Sequence, residues 1–375
     1  MRRTLLITND FPPRAGGIQS YVQSLAERLP ADEIVVFAPA WAGALAFDAR
    51  QPFPVFRHAK SLMLPGRDVR HRAIELIRDH RLEAIWYGAA APLSLLTPAL
   101  RAAGIVRTVA STHGHEVGWS MVPGARGALR RMGESNDVIT FVSQFARRRI
   151  SAALGPGAAL EYLPPGVRVD TFRPDPAARR MIRERHGVAQ EAPLLLSVSR
   201  LVSRKGQDSL IKAIPSIAAK VPGVRLLIVG DGPDAPRLRG LATSLGLSDL
   251  VVFAGHVEWS DLPAHYAAGD VFAMPCRTRG SGLDVEGLGI VFLEASASGL
   301  PVIAGHSGGA PETVQSGRTG VVVDGRDVEE VAVAAIDLLR DPGRAACWGA
   351  NGRAWVSTQW NWDRSATRLA ELLSG

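Results

Sequence analysis

Cysteine is scarce in this chain: there are two in 375 residues, Cys276 and Cys347, far apart. That excludes a disulfide framework, and their spacing fits no metal site; such usage suits a reducing cytosol. Long apolar runs are missing too. Met1 to Asp10 holds only Leu5-Leu6-Ile7, too little for the core of a signal peptide. The longest charge-free stretch, Ala84 to Leu100, is broken by Pro92 and Pro98. A membrane-spanning helix needs about 20 apolar residues, so this stretch reads as a strand, a turn and a helix start. No internal repeat or low-complexity tract is present. Aromatic residues are only 6% of the chain and are not interleaved with the basic ones, which disfavours nucleic-acid binding.

What is present is ordinary apolar content, enough for a full core, and an uneven charge. Residues 1–174 carry 22 Lys and Arg against 14 Asp and Glu, a net +8. Residues 175–375 carry 21 against 22, a net −1, which together give the +7 of the whole chain. A basic first half predicts an anionic partner: nucleic acid, an acidic membrane surface or an anionic acceptor.

Short apolar runs alternate with helical stretches. Strands are predicted at Thr4–Thr8, Ile34–Phe37, Ala84–Tyr87, Val106–Ser111 and Val138–Phe141. In the second half they fall at Leu194–Val198, Arg225–Val229, Val251–Phe253, Val271–Met274, Pro301–Ala304 and Gly320–Val323. Helices are predicted at Ile18–Leu29, Asp68–His80 and Ser143–Leu154. Repeated strand–helix units predict an α/β fold with parallel sheets covered on both faces. Two such series predict two doubly wound domains. The helix-stopping Leu163-Pro164-Pro165-Gly166 marks the boundary. This gives a first domain over 1–166 and a second over 167–360. An amphipathic C-terminal helix of about 361–375 belongs with the first.

The most informative stretch is Asp284-Val285-Glu286-Gly287-Leu288-Gly289-Ile290-Val291-Phe292-Leu293-Glu294. Glu286 lies in a glycine-rich turn. Glu294, eight residues on, lies in an apolar run that predicts a helix from near Gly289. The free N–H groups and positive end of such a helix attract phosphate oxygens. One carboxylate can then accept from sugar hydroxyls and the other from ribose hydroxyls, with a diphosphate between. The competing reading is a loop leading into a core helix with two solvated glutamates.

Other strand ends carry further candidates. After the first strand, Gly16-Gly17 opens a helix and lets a ligand approach backbone; Asp10 stands just before it. After the fourth predicted strand come His113-Gly114-His115-Glu116. His113 is first and best placed to face a crevice, with His115 and Glu116 left to orient it or to contact an acceptor. A zinc site wants a third ligand at metal spacing, which is not visible. Arg200 and Lys205 flank the loop after Leu194–Val198, and cations there can neutralise a departing diphosphate; a solvated basic loop is the alternative. Gly230-Asp231-Gly232 and Gly255-His256-Val257 leave room for a base or phosphate. Arg277 and Arg279 are candidate structural partners of Asp284 or Glu286.

The glycine pair, the Arg200…Lys205 pair and the Glu286…Glu294 stretch, in this order across two domains, resemble the retaining glycosyltransferases of the GT4 family. The likeness covers essentially the whole chain. It implies the GT-B fold, two Rossmann-like domains facing a central cleft. The segments Thr8–Pro13, Thr112–Met121 and Ala273–Arg279 resemble more closely the actinobacterial branch that builds phosphatidylinositol mannosides. This implies GDP-mannose as donor and phosphatidylinositol monomannoside, an anionic phosphoinositide glycolipid, as acceptor. Carried over residue by residue, Gly16 and Gly17 would face the donor diphosphate and the acceptor. Arg200 and Lys205 would stabilise the diphosphate as it leaves, and Val257 would meet guanine through its backbone. Gly289, Ile290 and Val291 would offer N–H groups to phosphate and sugar. Glu294 would hold the ribose, Glu286 the mannose hydroxyls, and His113 would sit beside the transferred sugar.

The D-x-D motif of the other glycosyltransferase class is missing, since Asp231 and Asp234 are separated by two residues and Asp284-Val285-Glu286 ends in Glu. No tightly bound metal or other cofactor is therefore expected. The basic first domain would dock on the inner face of the plasma membrane, through Arg126, Arg130 and Arg131 or through Arg67, Arg70 and Arg72, making a cytoplasmic, peripheral enzyme. Another GT4 enzyme using a UDP-sugar or a different acceptor, or a sugar-nucleotide epimerase of the same fold, is the alternative.

Overall fold

The computed structural model describes every residue except Ala15 and Ala158. The predicted Leu-, Val- and Ile-rich runs become strands, and those in the middle of each sheet are buried on both faces, as parallel sheets require. The chain divides into two compact units, Met1–Pro165 with Trp362–Gly375, and Gly166–Asn361.

In the first unit the strands are β1 (Thr4–Ile7), β2 (Ile34–Pro39), β3 (Val55–His58), β4 (Ala84–Tyr87), β5 (Arg107–Thr112), β6 (Val138–Phe141) and β7 (Ala159–Tyr162). They form one sheet in the order β3-β2-β1-β4-β5-β6-β7, and every pairing is parallel. The chain winds outward in one direction from β1 and in the other from β4, so the switch point lies between these two strands. The C-terminal helix Trp362–Ser374 belongs to this unit. Its apolar stripe Trp362, Ala366, Leu369 and Leu373 is buried. Ser365 Oγ donates to Pro164 O at 2.8 Å, and Arg107 Nε to Leu372 O at 2.7 Å.

Strands β3 and β7 are additions to the sequence expectation. Both are sheet edges, and they carry Arg57 with His58 and Glu161 with Tyr162. Polar side chains protect an edge against pairing with another chain, and the same polarity hides the strand from an apolar-run search.

In the second unit β8 (Leu194–Val198), β9 (Arg225–Val229), β10 (Val251–Gly255), β11 (Val271–Met274), β12 (Val302–Gly305) and β13 (Gly320–Val323) form a parallel sheet in the order β10-β9-β8-β11-β12-β13. Here the switch point lies between β8 and β11. Its core packs Leu195, Leu226, Ile228 and Ile303 against Leu210 and Ile214 of the helix Gln207–Lys220 and Val331 and Leu338 of the helix Val328–Leu339. Each such side chain, fully buried, contributes roughly 1.5–3 kcal/mol. Ligands of open α/β sheets sit beyond the strand C-terminal ends at a switch point. In the second unit, that is where Arg200, Lys205 and the 284–294 stretch emerge.

Candidate active site

The loop after β8 turns through a short 3-10 helix, Ser203–Lys205, into the helix Gln207–Lys220. This turn folds Lys205 inward, so it is only 8% exposed. Its Nζ lies 2.8 Å from Glu286 Oε2, itself on a buried side chain. Arg204, next in the same turn, has Nε 3.6 Å from that oxygen and Nη1 3.5 Å from Asp284 Oδ1. Burial alone would raise the Glu286 carboxyl. The Lys205 charge, followed by that of Arg204, outweighs it and holds Glu286 below the usual carboxylate range, so it is ionised. Arg204 Nε is buried and makes no hydrogen bond. A buried donor without an acceptor costs about 1–3 kcal/mol, so this one suits an incoming acceptor group.

The Glu286 turn is itself held. Ser307 Oγ contacts Glu286 N at 3.3 Å, and Gly309 N donates to Glu286 O at 3.0 Å. Gly308 has φ 58°, and a Cβ there would strike the Glu286 carbonyl. The loop after β12 therefore requires glycine where it backs the carboxylate turn.

Gly289, with φ 91°, caps the helix Ile290–Ala297. A side chain at that left-handed position would be strained and would press on the Phe292 ring. The first N–H groups of the helix, those of Ile290 and Val291, are left free for an anion. Glu294 is the fifth residue of this helix. Tyr266 Oη donates to its Oε2 at 2.7 Å, and the Tyr266 ring packs against Phe172 and Phe272. Burial pushes the Glu294 carboxyl up to about 7, against the lowering effect of the Tyr266 hydrogen bond.

Arg200 projects from the C-terminal end of β8, exposed and with no side-chain partner among the described residues. Val257 follows β10, half-buried. The structure thus brings Lys205, Glu286 and Arg204 into contact, and places Arg200, Val257 and the Gly289–Glu294 helix on the same sheet edge.

In the first unit the candidates gather at the ends of β1, β4 and β5. Gly16 precedes the helix Gly17–Ala26, and a Cβ on Gly16 would run into the Gln19 amide. That amide donates to Asp10 Oδ1 at 2.8 Å, so Asp10 is tied to the start of this helix. A Cβ on Gly17 would meet open space. His113 Nε2 lies 2.6 Å from Gly88 O, beyond β4. A carbonyl only accepts, so Nε2 carries the proton and Nδ1 is left as an acceptor. Burial holds His113 below its usual range, against the opposing charge of Glu116, and the ring stays neutral. Tyr21 packs edge-on against it at 4.9 Å.

Glu116 is fully buried. Its Oε2 accepts from the N–H groups of His113 at 3.1 Å and Gly114 at 3.0 Å, and Oε1 lies 3.1 Å from His115 Nε2. It shapes the turn that carries His113, and its burial closes it to an acceptor.

Two readings change. Gly230 and Gly232 are needed for packing, since a Cβ on either would strike the Ser199 or Leu201 backbone carbonyl. Arg277 reaches neither Asp284 nor Glu286; both oxygens of Asp208 take its Nη2 at 2.8 Å. Arg279 meets Asp284 through backbone only. Sequence reasoning passed over Arg204, Tyr266 and the Ser307–Gly309 turn. Arg204 had a signal, as the neighbour of Lys205 in a turn. Tyr266 and Ser307 had none, because they meet the glutamates only through the tertiary fold.

Two parallel α/β units, one with cations and a helix N-terminus gathered at its switch point, have the GT-B architecture, and this chain belongs to the GT4 family of glycosyltransferases. Residues 15–171 match the model described as Glycosyltransferase Family 4, and residues 178–355 that of Glycosyl transferases group 1. The chain is 58% identical to the GDP-mannose-dependent alpha-(1-6)-phosphatidylinositol monomannoside mannosyltransferase of Mycobacterium tuberculosis, over 100% of this chain and 99% of that protein. It is 48% identical to the GDP-mannose-dependent monoacylated alpha-(1-6)-phosphatidylinositol monomannoside mannosyltransferase of Corynebacterium glutamicum, over 99% and 98%. Among solved structures, Anabaena HepE in complex with UDP and glucose superposes with a TM-score of 0.85 at 22% identity, covering 100% of both chains. That likeness speaks to the fold alone.

Proposed function

We propose that this protein transfers mannose, with retention, from GDP-mannose to phosphatidylinositol monomannoside, forming an α-1,6 link. The full-length likeness to mannosyltransferases of that name carries the substrate assignment. The Lys205–Glu286 pair beside the Gly289 helix start supports the chemistry. As the glycosidic bond breaks, GDP takes on negative charge. Arg200, Lys205 with Arg204, and the helix N-terminus lower that cost by preorganised electrostatics. With that much fixed positive charge in the chain itself, catalysis requires no divalent metal or other cofactor. Glu286 receives mannose hydroxyls and Glu294 the ribose, while Val257 meets the base through its backbone. Glu286 is tied to Lys205, which blunts it as a nucleophile. The acceptor hydroxyl therefore attacks on the face the diphosphate leaves, and a donor phosphate oxygen takes its proton.

The enzyme works at the inner membrane face, held there by its basic first unit. No helix of the described residues is long and apolar enough to cross a membrane, and peripheral binding suits a lipid acceptor. The test is transfer of labelled mannose to vesicles containing phosphatidylinositol monomannoside, with product linkage determined. One added α-1,6 mannose is expected. An inverted product, or a trapped mannosyl-enzyme, overturns the mechanism.

A further inference from the structure

The helix Glu116–Met121 leads from the His113 turn to a sharp junction at Val122, where the helix Pro123–Ser135 begins. An open pocket of about 480 Å³ lies at this junction, lined by Ser120, Met121, Pro123, Arg126, Arg148 and Arg149. Three arginines line it and no carboxylate does. Arg126 Nη1 touches only the Ser120 carbonyl, at 3.3 Å, and Arg149 Nη2 only the Met121 sulfur, at 3.7 Å. Arg148 has no side-chain partner among the described residues. Glu116, which opens the helix that leads to the pocket, is occupied by the His113 turn. Three guanidinium groups facing one hollow repel each other until an anion fills it. Beside them Met121 and Val122 are 41% and 48% exposed. Cations next to outward apolar side chains are the composition of a face that sits in a lipid interface.

We propose that this pocket binds the headgroup phosphodiester of an anionic membrane lipid. The site rests on the lipid-acceptor reading above and gives it a location. Its size admits a phosphorylated ring, more than phosphate alone, and arginine forks match phosphate oxygens bidentately. The six-residue helix Glu116–Met121, roughly 9 Å long by its rise, is the spacer between the His113 turn and the pocket. A headgroup held here is thereby presented to the reacting end of the first unit. Of the six arginines considered for membrane contact from the sequence, only Arg126 lines the pocket; Arg148 and Arg149 come from the helix Gln144–Leu154.

The test uses the full-length protein and neutral vesicles with or without phosphatidylinositol. The double variant Arg148→Ala/Arg149→Ala, at exposed positions, should bind phosphatidylinositol vesicles at least tenfold more weakly, with unchanged GDP-mannose affinity in solution. The charge-matched variant Arg67→Ala/Arg70→Ala should bind within about twofold of wild type. Equal losses in both variants, or no loss in the first, overturn the pocket in favour of diffuse charge. Inorganic phosphate or glycerophosphoinositol binding as tightly as vesicles overturns the lipid assignment. If the wild type binds vesicles through these arginines but transfers no mannose, the pocket stands and the proposed reaction falls.

Discussion

Two carboxylates in the second unit each hold two cations, and they do so differently. Asp270 accepts from Arg179 Nη2 at 2.7 Å, from Arg183 Nη2 at 2.9 Å and from Leu194 N at 2.7 Å. Arg183 is fully buried and spends its remaining donors on the carbonyls of Ala268, Ala189, Gln190 and Ala192. No buried polar atom of this group is left without a partner, and the network pins the helix Pro176–Arg185 to the start of β8. Glu286 also faces two cations. There, however, one contact is 3.6 Å long, Arg204 Nε is unsatisfied, and Arg200 stands unpaired nearby in sequence. The same ingredients make a rivet when every buried donor atom is paired and a receptor when one is kept back.

Breaking the first network should give the largest effect. Arg183→Met removes a buried partner and strands several carbonyls, so unfolding free energy should fall by about 3–5 kcal/mol, read from denaturant midpoints. The folded fraction should still bind GDP-mannose normally. Lys205→Ala should do the reverse. Its kcat should fall about 10²–10³-fold, while its unfolding free energy should fall by less than that of Arg183→Met, because Arg204 still faces the Glu286 carboxylate.

Glu294→Gln sharpens the contrast through pH. The buried carboxyl, raised from its ordinary 4.5 to about 7, carries a folding cost. That cost is absent below the ordinary value and is fully felt once pH rises past about 7. The glutamine variant should therefore be more stable than wild type at pH 8 and lose this advantage near pH 4, while binding donor about tenfold more weakly for want of a charged acceptor. The smallest change is Tyr266→Phe. Loss of one hydrogen bond, about 1 kcal/mol, should raise donor KM several-fold. It should also move the pH inflection of donor binding upward, since the Tyr266 hydroxyl holds the Glu294 carboxyl down. An unmoved inflection would reduce Tyr266 to a packing residue.

The central strands were legible because parallel sheets bury both faces, which leaves uninterrupted apolar runs such as Leu194–Val198 and Val271–Met274. The edge strands Val55–His58 and Ala159–Tyr162 were not, because their polarity is what keeps an edge from pairing further. At the site, sequence spacing located the helix start at Gly289 and the glutamates on either side of it. It could not reveal that Lys205 and Glu286 meet across the switch point, since 81 residues separate their numbers and the tertiary pairing of β8 with β11 brings them together. Nor could it tell that Glu116 turns inward, because a carboxylate one residue past His115 reads as polar whether it meets solvent or backbone N–H groups.

The most direct measurement is thermal unfolding of wild type and Lys205→Ala, each alone, with GDP-mannose and with UDP-glucose. GDP-mannose should raise the wild-type midpoint, UDP-glucose should not, and Lys205→Ala should start below the wild-type value and gain little from either. A variant that is stabilised by GDP-mannose as fully as wild type would place Lys205 and Glu286 with the Asp270 rivet, and contradict the donor site described here.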